Sequence, residues 1–226
     1  MRQSAPRSQA GNVEIELKAR LDDSEPARER LSSLGSYARA YEKADAYWIP
    51  ADPGSPLSRS GIRVRRDSGV GADGAARESA LVTTKDKALS GGIEVNEERE
   101  FAVSDPGLFE DMLRGLGLAE RSRKSKRGWE WEVPPQAAGG RPIRAEVSMV
   151  GGLGWFLELE IVAGEGGQRV VEESRGELYS LLEKLGVPIE SIEPRPYSAL
   201  LELARQGGGA ALQGGDFHGG NGIPEA

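Results

Sequence analysis

The chain of 226 residues contains no cysteine and a single histidine, His218. Disulfide bonds and thiolate metal ligands are therefore absent, and a structural zinc site, which needs clusters of cysteine and histidine, is not expected. His218 lies in a Gly-rich stretch and is expected to be inert. A metal bound by this chain should then be a hard ion with oxygen ligands, Mg²⁺ or Mn²⁺.

The sequence also lacks long apolar runs. No segment approaches the length of a membrane span and no signal-peptide core follows Met1, so a cytoplasmic protein that does not enter a membrane is predicted. The net charge of −7, from 36 acidic and 29 basic residues, argues against long nucleic acid as a partner, because duplex binding needs a basic surface. A small polyanion remains a candidate ligand, since its binding depends on the local field and not on total charge.

The length suits one domain with tails. Residues 1–11 are polar and irregular, and we expect a flexible N-terminus there. Residues 12–206 carry the periodic patterns of a folded domain. Residues 207–226 are Gly-rich and are expected to be disordered.

Residues 13–20 alternate apolar and charged side chains with a period of two, which is typical of a β-strand with two different faces. Ile15 and Leu17 share one face, and Glu14 and Glu16 share the other. Taken singly, such a pair is typical of a solvent-exposed strand face. The repetition along the chain instead predicts a common polar surface. Pairs of the same kind are Arg63 and Arg65, Lys85 and Lys87, Glu98 and Glu100, Lys124 and Lys126, Arg144 and Glu146, and Glu158 and Glu160.

About eight strands and four helices are predicted. The helices are expected near residues 22–35, 105–117, 171–185 and 197–204, where capping residues and apolar stripes coincide. Neighbouring strands joined by short turns favour an antiparallel sheet, and closure into a barrel removes exposed edges. The alternative is a sandwich with one wet face. Residues 67–78 are expected to form an exposed loop. Trp129, Trp131, Trp155, Phe156 and Tyr197 are expected to pack in the core or an interface.

Five motifs, in order, resemble the CYTH superfamily, which unites class IV adenylate cyclases, thiamine triphosphatases and inorganic triphosphatases. They extend over most of the chain, from about residue 12 to 203. The resemblance implies an α+β fold: an eight-stranded antiparallel β-barrel, or tunnel, with a charged lumen and helices packed outside. The motifs are Glu14-x-Glu16-x-Lys18, Arg63-x-Arg65, Lys85, Lys124-x-Lys126-x-x-Trp129 and Leu153-Gly154-x-Phe156-x-Glu158-x-Glu160; Asp45-x-Tyr47 also resembles a family motif.

Two sets of charged residues are expected to face each other in this lumen. Carboxylates hold divalent cations, whereas arginine and lysine hold phosphate oxygens, so the two sets together suit a metal–polyphosphate complex. The expected metal ligands are Glu14, Glu16, Glu98, Glu100, Glu158 and Glu160. The expected phosphate-binding residues are Lys18, Arg63, Arg65, Lys85, Lys124 and Lys126. Glu14, Glu16, Lys18, Glu158 and Glu160 form the expected catalytic set. Without ligand, Arg63 and Arg65 are expected to repel each other.

These features favour a divalent-metal-dependent phosphohydrolase acting on tripolyphosphate, thiamine triphosphate or a nucleoside triphosphate. The alternatives are a class IV adenylate cyclase, converting ATP to cyclic AMP and pyrophosphate, and a non-catalytic polyphosphate- or nucleotide-binding module. A homodimer is left open. Two departures from the family pattern are Ser148, where the family often has aspartate, and Lys126, where it has arginine.

Overall fold

The computed structural model describes residues 12–52, 61–90, 93–136, 140–163 and 167–207. Eight antiparallel strands close into a barrel in the order β1-β5-β4-β3-β2-β6-β7-β8, with β8 paired back onto β1. This confirms the predicted α+β fold. The strands are β1 (Asn12–Leu21), β2 (Ser36–Pro50), β3 (Ile62–Gly71), β4 (Ala76–Ser90), β5 (Ile93–Ala102), β6 (Leu118–Val133), β7 (Ile143–Val150) and β8 (Gly154–Ala163).

Several strands are longer than the sequence pattern predicted. The exposed hairpin loop expected at 67–78 is present but shorter than predicted, because β3 and β4 stay paired as far as Val70 and Ala76. A short turn connects them: Asp73 accepts a hydrogen bond from the Ala75 N–H (3.0 Å), and Gly74 has a φ of 74°, a conformation that glycine adopts without strain. The small residues of this hairpin hid the strand periodicity.

Four helices lie outside the barrel, as predicted: α1 (Glu25–Leu34), α2 (Pro106–Gly115), α3 (Gln168–Lys184) and α4 (Tyr197–Gly207). A 3-10 turn, Ile189–Ser191, precedes α4. Asp105 caps α2 by accepting a hydrogen bond from the Leu108 N–H at 2.9 Å. At α1 the Ser24 side chain makes no cap bond, and Asp23 instead accepts from the Glu25 N–H.

The apolar core lies between the outer face of the barrel and the helices. Ile15 and Leu17 of β1 point outward and are fully buried against the leucines of α3, including Leu178 and Leu181. Each such side chain contributes roughly 1.5–3 kcal/mol on burial. Trp129 and Trp131 belong to the same core, as expected. Since the apolar faces all point outward, the alternating polar side chains are left to fill the barrel interior.

Smaller clusters cover the rest of the barrel. Leu113 of α2 packs on Val64 and Val82, and Leu200 of α4 packs with Phe156 and Tyr197 at one end of the barrel. Among the described residues, no helix is long and apolar enough to cross a membrane. The predicted flexible N-terminus, residues 1–11, and all of the predicted tail except Gly207 lie outside the described residues.

Candidate active site

A cavity of about 800 Å³ occupies the barrel interior. The expected two-sided charge distribution is present there: Glu14, Glu16, Glu100, Glu158 and Glu160 line it together with basic residues of β3 and β6. The expected basic residues on its wall are Arg63, Arg65, Lys124 and Lys126.

The other expected site residues are Lys18, Lys85 and Glu98. Lys18 is buried beside the cavity, with its Nζ 4.7 Å from the centre of the Tyr197 ring. Lys85 and Glu98 are register partners in β4 and β5, on the strand positions that continue the inward series of Thr83 and Glu100. The side chains of Lys85 and Glu98 lie outside the described part of the structure.

Asp45 of β2 organises one part of the basic wall. Its buried carboxylate accepts two hydrogen bonds from Arg65, at 2.7 and 2.9 Å, and lies 3.1 Å from the Lys124 Nζ. Burial alone would raise the pKa of Asp45, but Lys124 and Arg65 outweigh it and lower this pKa well below its usual range. Arg65 is therefore neutralised and held by Asp45, which corrects the expectation that the ligand-free arginines repel each other.

Glu146 of β7 is the centre of a second buried network. Its carboxylate accepts from Lys43 Nζ at 2.6 Å, Lys126 Nζ at 2.5 Å and the Tyr41 hydroxyl at 2.6 Å. Lys126 also contacts Glu158 of β8, so it bridges the two carboxylates. Burial alone would raise the pKa of Glu158, yet Lys126 lowers it to about 2. Both acids are ionised at neutral pH.

Lys43 is the cation of this network whose pKa is lowered. Its side chain is 3% exposed, and burial lowers its pKa to about 8, with Lys126 and Arg65 adding to the shift and Glu146 opposing it. Tyr41, which lies 4.0 Å below the Lys43 ammonium, keeps its proton because burial and Glu146 raise its pKa well above 10. The network therefore carries a lysine whose charge changes in mildly alkaline solution.

An ion pair and a hydrogen bond engage two further acids of the cavity. Glu160 accepts from Arg144 at 2.5 Å, and Glu100 accepts from the Thr83 hydroxyl at 2.8 Å. Glu16 and Glu160 are direct partners in the β1–β8 register, so their carboxylates share one region of the wall. Arg144 also lines the cavity, with 42% of its side chain still exposed to solvent.

The chemistry of the acidic side suits a hard divalent ion, because Glu14, Glu16 and Glu160 offer oxygen donors to the same cavity. Among the described side chains, no three acidic or histidine groups converge closely enough to hold a metal ion. Ion pairs engage two carboxylates of the cavity: Glu158 uses Oε2 for Lys126, and Glu160 uses Oε1 for Arg144. A ligand that takes over these cations would leave the carboxylates to a metal.

Sequence reasoning missed most of the side chains by which β2 lines the barrel interior. Arg39, Tyr41, Lys43, Asp45 and Tyr47 occupy alternate positions of β2 and supply polar groups to the interior. The signal was a period of two across this strand, with Ala40, Ala44 and Ala46 between the polar residues. Because Tyr41 and Tyr47 are as compatible with a core as with a site, the pattern resembled packing.

A model of the CYTH domain family matches residues 12–197, which is most of the chain. Together with the closed barrel and its charged interior, this match places the chain in the CYTH domain family.

Individual relatives agree with this assignment. A protein of Methanocaldococcus jannaschii named "Putative adenylate cyclase" is 24% identical over 194 residues, covering 84% of this chain and 99% of that protein. A structure from Pyrococcus horikoshii OT3 superposes with a TM-score of 0.67 at 21% identity, over 84% of this chain and 98% of that one. A Hippeastrum "Putative adenylyl cyclase", described as having a dominant triphosphatase activity, gives 0.56 at 17% identity, over 87% and 96%. At these identities the two structures support the fold alone.

Proposed function

We propose that this protein is a divalent-metal-dependent phosphohydrolase that acts on triphosphate-containing compounds. The observation that carries the proposal is the interior cavity of about 800 Å³. Basic side chains of β3 and β6 and acidic side chains of β1 and β8 line this one cavity. A linear triphosphate needs cations along its length and a metal to bridge its oxygens to carboxylates.

The basic residues would hold the phosphates in different ways. Arg65 is fixed by the two hydrogen bonds that it donates to Asp45, so its guanidinium is already oriented before a ligand arrives. Lys124 and Lys126 are held by Asp45 and by Glu146 with Glu158, and they would contribute point charges. Lys18, Arg63 and Lys85 complete the proposed phosphate-binding set.

The acidic residues would hold Mg²⁺ or Mn²⁺ on the opposite side. Glu14, Glu16 and Glu160 are the nearest to this role because they line the cavity from adjacent strands. Glu98 and Glu100 of β5 and Glu158 of β8 stay in the proposed set, with Glu158 also positioning Lys126. A bound metal would supply positive charge to the phosphate oxygens and lower the pKa of its bound water. Carboxylates on that side would orient a water molecule for attack on phosphorus.

Class IV adenylate cyclase is the second candidate, favoured by the names of the Methanocaldococcus and Hippeastrum relatives. The same cradle would serve both reactions, which differ in the phosphorus atom presented to the nucleophile. In the cyclase reaction the ribose 3′-hydroxyl of ATP attacks the α-phosphate and pyrophosphate leaves. Hydrolysis stays the first choice on the basis of the cavity, and the description of the Hippeastrum protein as having a dominant triphosphatase activity is consistent with it.

One assay separates the candidates. The purified chain is incubated with tripolyphosphate, thiamine triphosphate or ATP, with Mg²⁺, Mn²⁺ or EDTA, and phosphate, pyrophosphate and cyclic AMP are measured. Metal-dependent release of phosphate is expected, and cyclic AMP with pyrophosphate would favour the cyclase instead. Binding of any of these compounds without formation of product would indicate a non-catalytic polyphosphate- or nucleotide-binding module.

A pair of neighbouring residues gives the control. Lys124 points into the barrel, whereas Arg123, the residue before it, is exposed and pairs with Glu120 outside. Lys124→Ala should abolish turnover, and Arg123→Ala should leave it unchanged. Equal activity of the two variants would exclude the barrel interior as the reaction site.

A further inference from the structure

Tyr197, at the first position of α4, closes one end of the cavity described above. Its side chain enters the barrel and meets Phe156 of β8 with ring centres 5.0 Å apart, in an edge-to-face contact. The residues on either side of it, Pro196 and Ser198, line the same cavity. The sequence suggested a packing role for Tyr197, but packing explains its ring and not its hydroxyl.

Tyr197 is only 8% exposed, and its hydroxyl is buried without a hydrogen-bond partner among the described residues. A buried polar group without a partner destabilises the folded state, so native proteins rarely keep one unless water or a ligand satisfies it. Burial and the nearby Glu158 raise the pKa of this phenol well above 10. At neutral pH the group is therefore a protonated hydrogen-bond donor, buried in a residue that lines the cavity.

Two of the cations proposed to bind phosphate lie against the ring of the same tyrosine. The Nζ atoms of Lys18 and Lys124 are each 4.7 Å from the ring centre, within the range of a cation–π contact. The ring thus places two ammonium groups next to one phenolic O–H. An anion that reaches both lysines would find the phenol as a third donor.

The segment before α4 fixes this arrangement. The N–H of Glu193 donates to the Lys18 carbonyl at 2.8 Å, and Ile192 bridges to Ala19, so the segment is attached to β1. The Glu193 side chain accepts from Arg20 at 3.1 Å and from Arg195 at 2.7 Å. Tyr197 is therefore tied to the strand that carries Lys18. The Pro196 carbonyl accepts from the N–H groups of Ala199 and Leu200, and the N-terminal end of α4, where the helix dipole is positive, lies beside the cavity.

We propose that Tyr197 is a substrate-binding residue, whose hydroxyl donates a hydrogen bond to a phosphoryl oxygen held between Lys18 and Lys124. This rests on the proposed function, since it assigns a further donor to the same triphosphate site. It extends that site from the barrel strands to the start of α4.

The test compares Tyr197→Phe with the wild type for binding of tripolyphosphate, with excess Mg²⁺, by isothermal titration calorimetry. The phenylalanine keeps the ring beside both lysines and removes only the hydroxyl. A hydrogen bond to a charged group would then be lost, and the dissociation constant should rise at least about tenfold. The unfolding midpoint of the ligand-free variant should be unchanged or higher, because an unpartnered buried hydroxyl has been removed. Tyr179→Phe, on the outer helix α3, is the matched control and should bind as the wild type does.

The outcomes distinguish this inference from the proposed function. If the wild type and Tyr197→Phe bind tripolyphosphate equally, the hydroxyl is satisfied by water alone and the inference is overturned, while the triphosphate site stands. If the wild type itself binds neither tripolyphosphate nor ATP, the proposed function and the inference both fall. A lower midpoint for Tyr197→Phe, with affinity unchanged, would assign the residue to packing.

Discussion

Replacing Lys43 with methionine tests the buried network directly, because the stability of the wild type should depend on the protonation of this one lysine. Lys43 faces Glu146, Lys126, Arg65 and Tyr41. Its pKa is about 8 in the folded protein against 10.5 for an ordinary lysine. The unfolded chain therefore binds more protons than the folded one between these two values, so this lysine adds stability as the pH rises through that window and not below it.

The size of the effect follows from the two pKa values. One proton of difference changes the free energy of unfolding by about 1.4 kcal/mol per pH unit. Integrated from about pH 7.5 to 9.5, the contribution of Lys43 amounts to about 2 kcal/mol. The pKa of Glu146 is held far below this range by Lys126 and Lys43, against the effect of burial, so its carboxylate stays ionised. In Lys43→Met, Glu146 keeps Lys126 and the Tyr41 hydroxyl, and the variant should fold.

The assay is urea unfolding of the wild type and of Lys43→Met at several pH values in that range. The wild type should gain about 2 kcal/mol relative to the variant from the lowest to the highest pH, or roughly 4–8 °C in the unfolding midpoint for a chain of this size. Lys184→Met, at an exposed position of α3, serves as the control and should differ from the wild type by a constant amount. A wild-type advantage over Lys43→Met that stays constant with pH would refute the argument that burial depresses this lysine.

Three further predictions concern the same cavity. Glu16→Gln should abolish metal-dependent turnover without lowering the unfolding midpoint; near-wild-type turnover at saturating Mg²⁺ would remove Glu16 from the catalytic set. Tripolyphosphate at about 100 times its dissociation constant should stabilise the wild type by roughly 2.7 kcal/mol. Arg65→Ala should lose this gain and cost up to about 3 kcal/mol without ligand, because Asp45 loses its bidentate partner and keeps Lys124 and the longer contact with the Tyr47 hydroxyl. A ligand-induced shift as large in Arg65→Ala as in the surface control Arg77→Ala would contradict this. The pKa of Glu158 is lowered to about 2 from 4.5, so its contribution of roughly 3 kcal/mol to the free energy of unfolding is present above pH 4.5 and is lost as the pH falls toward 2. If the stability of Glu158→Gln and that of the wild type fall in parallel as the pH is lowered, this prediction is wrong.

The barrel could be predicted from the sequence because its strands are two-sided. In β1 the outward Ile15 and Leu17 need covering by helices, and the inward Glu14 and Glu16 then have only the interior to occupy. The five ordered motifs added the closure of the barrel, which local periodicity alone could not decide against an open sandwich. The metal and the substrate stay predictions, and a homodimer stays open.

The pairing of the charges could not be predicted. Asp45 and Arg65 are 20 positions apart in the chain, and Lys43 and Glu146 are 103 apart, so each pair exists only through the strand register. The short period-two signal gives the face of a residue but not its neighbour across the sheet. The sequence could therefore indicate which charges face inward, whereas only the register decides which of them neutralise each other.

This pairing changes how the cavity should respond to a ligand. A lumen of unpaired cations would gain affinity by relief of repulsion, but here a triphosphate must compete with Asp45, Glu146 and Glu158 for the same cations. The competition lowers the net gain from each contact, as for other buried ion pairs. It also releases carboxylate oxygens on the side where a divalent ion is proposed to bind. Phosphate and metal should therefore bind with positive coupling, each raising the affinity for the other by the same factor.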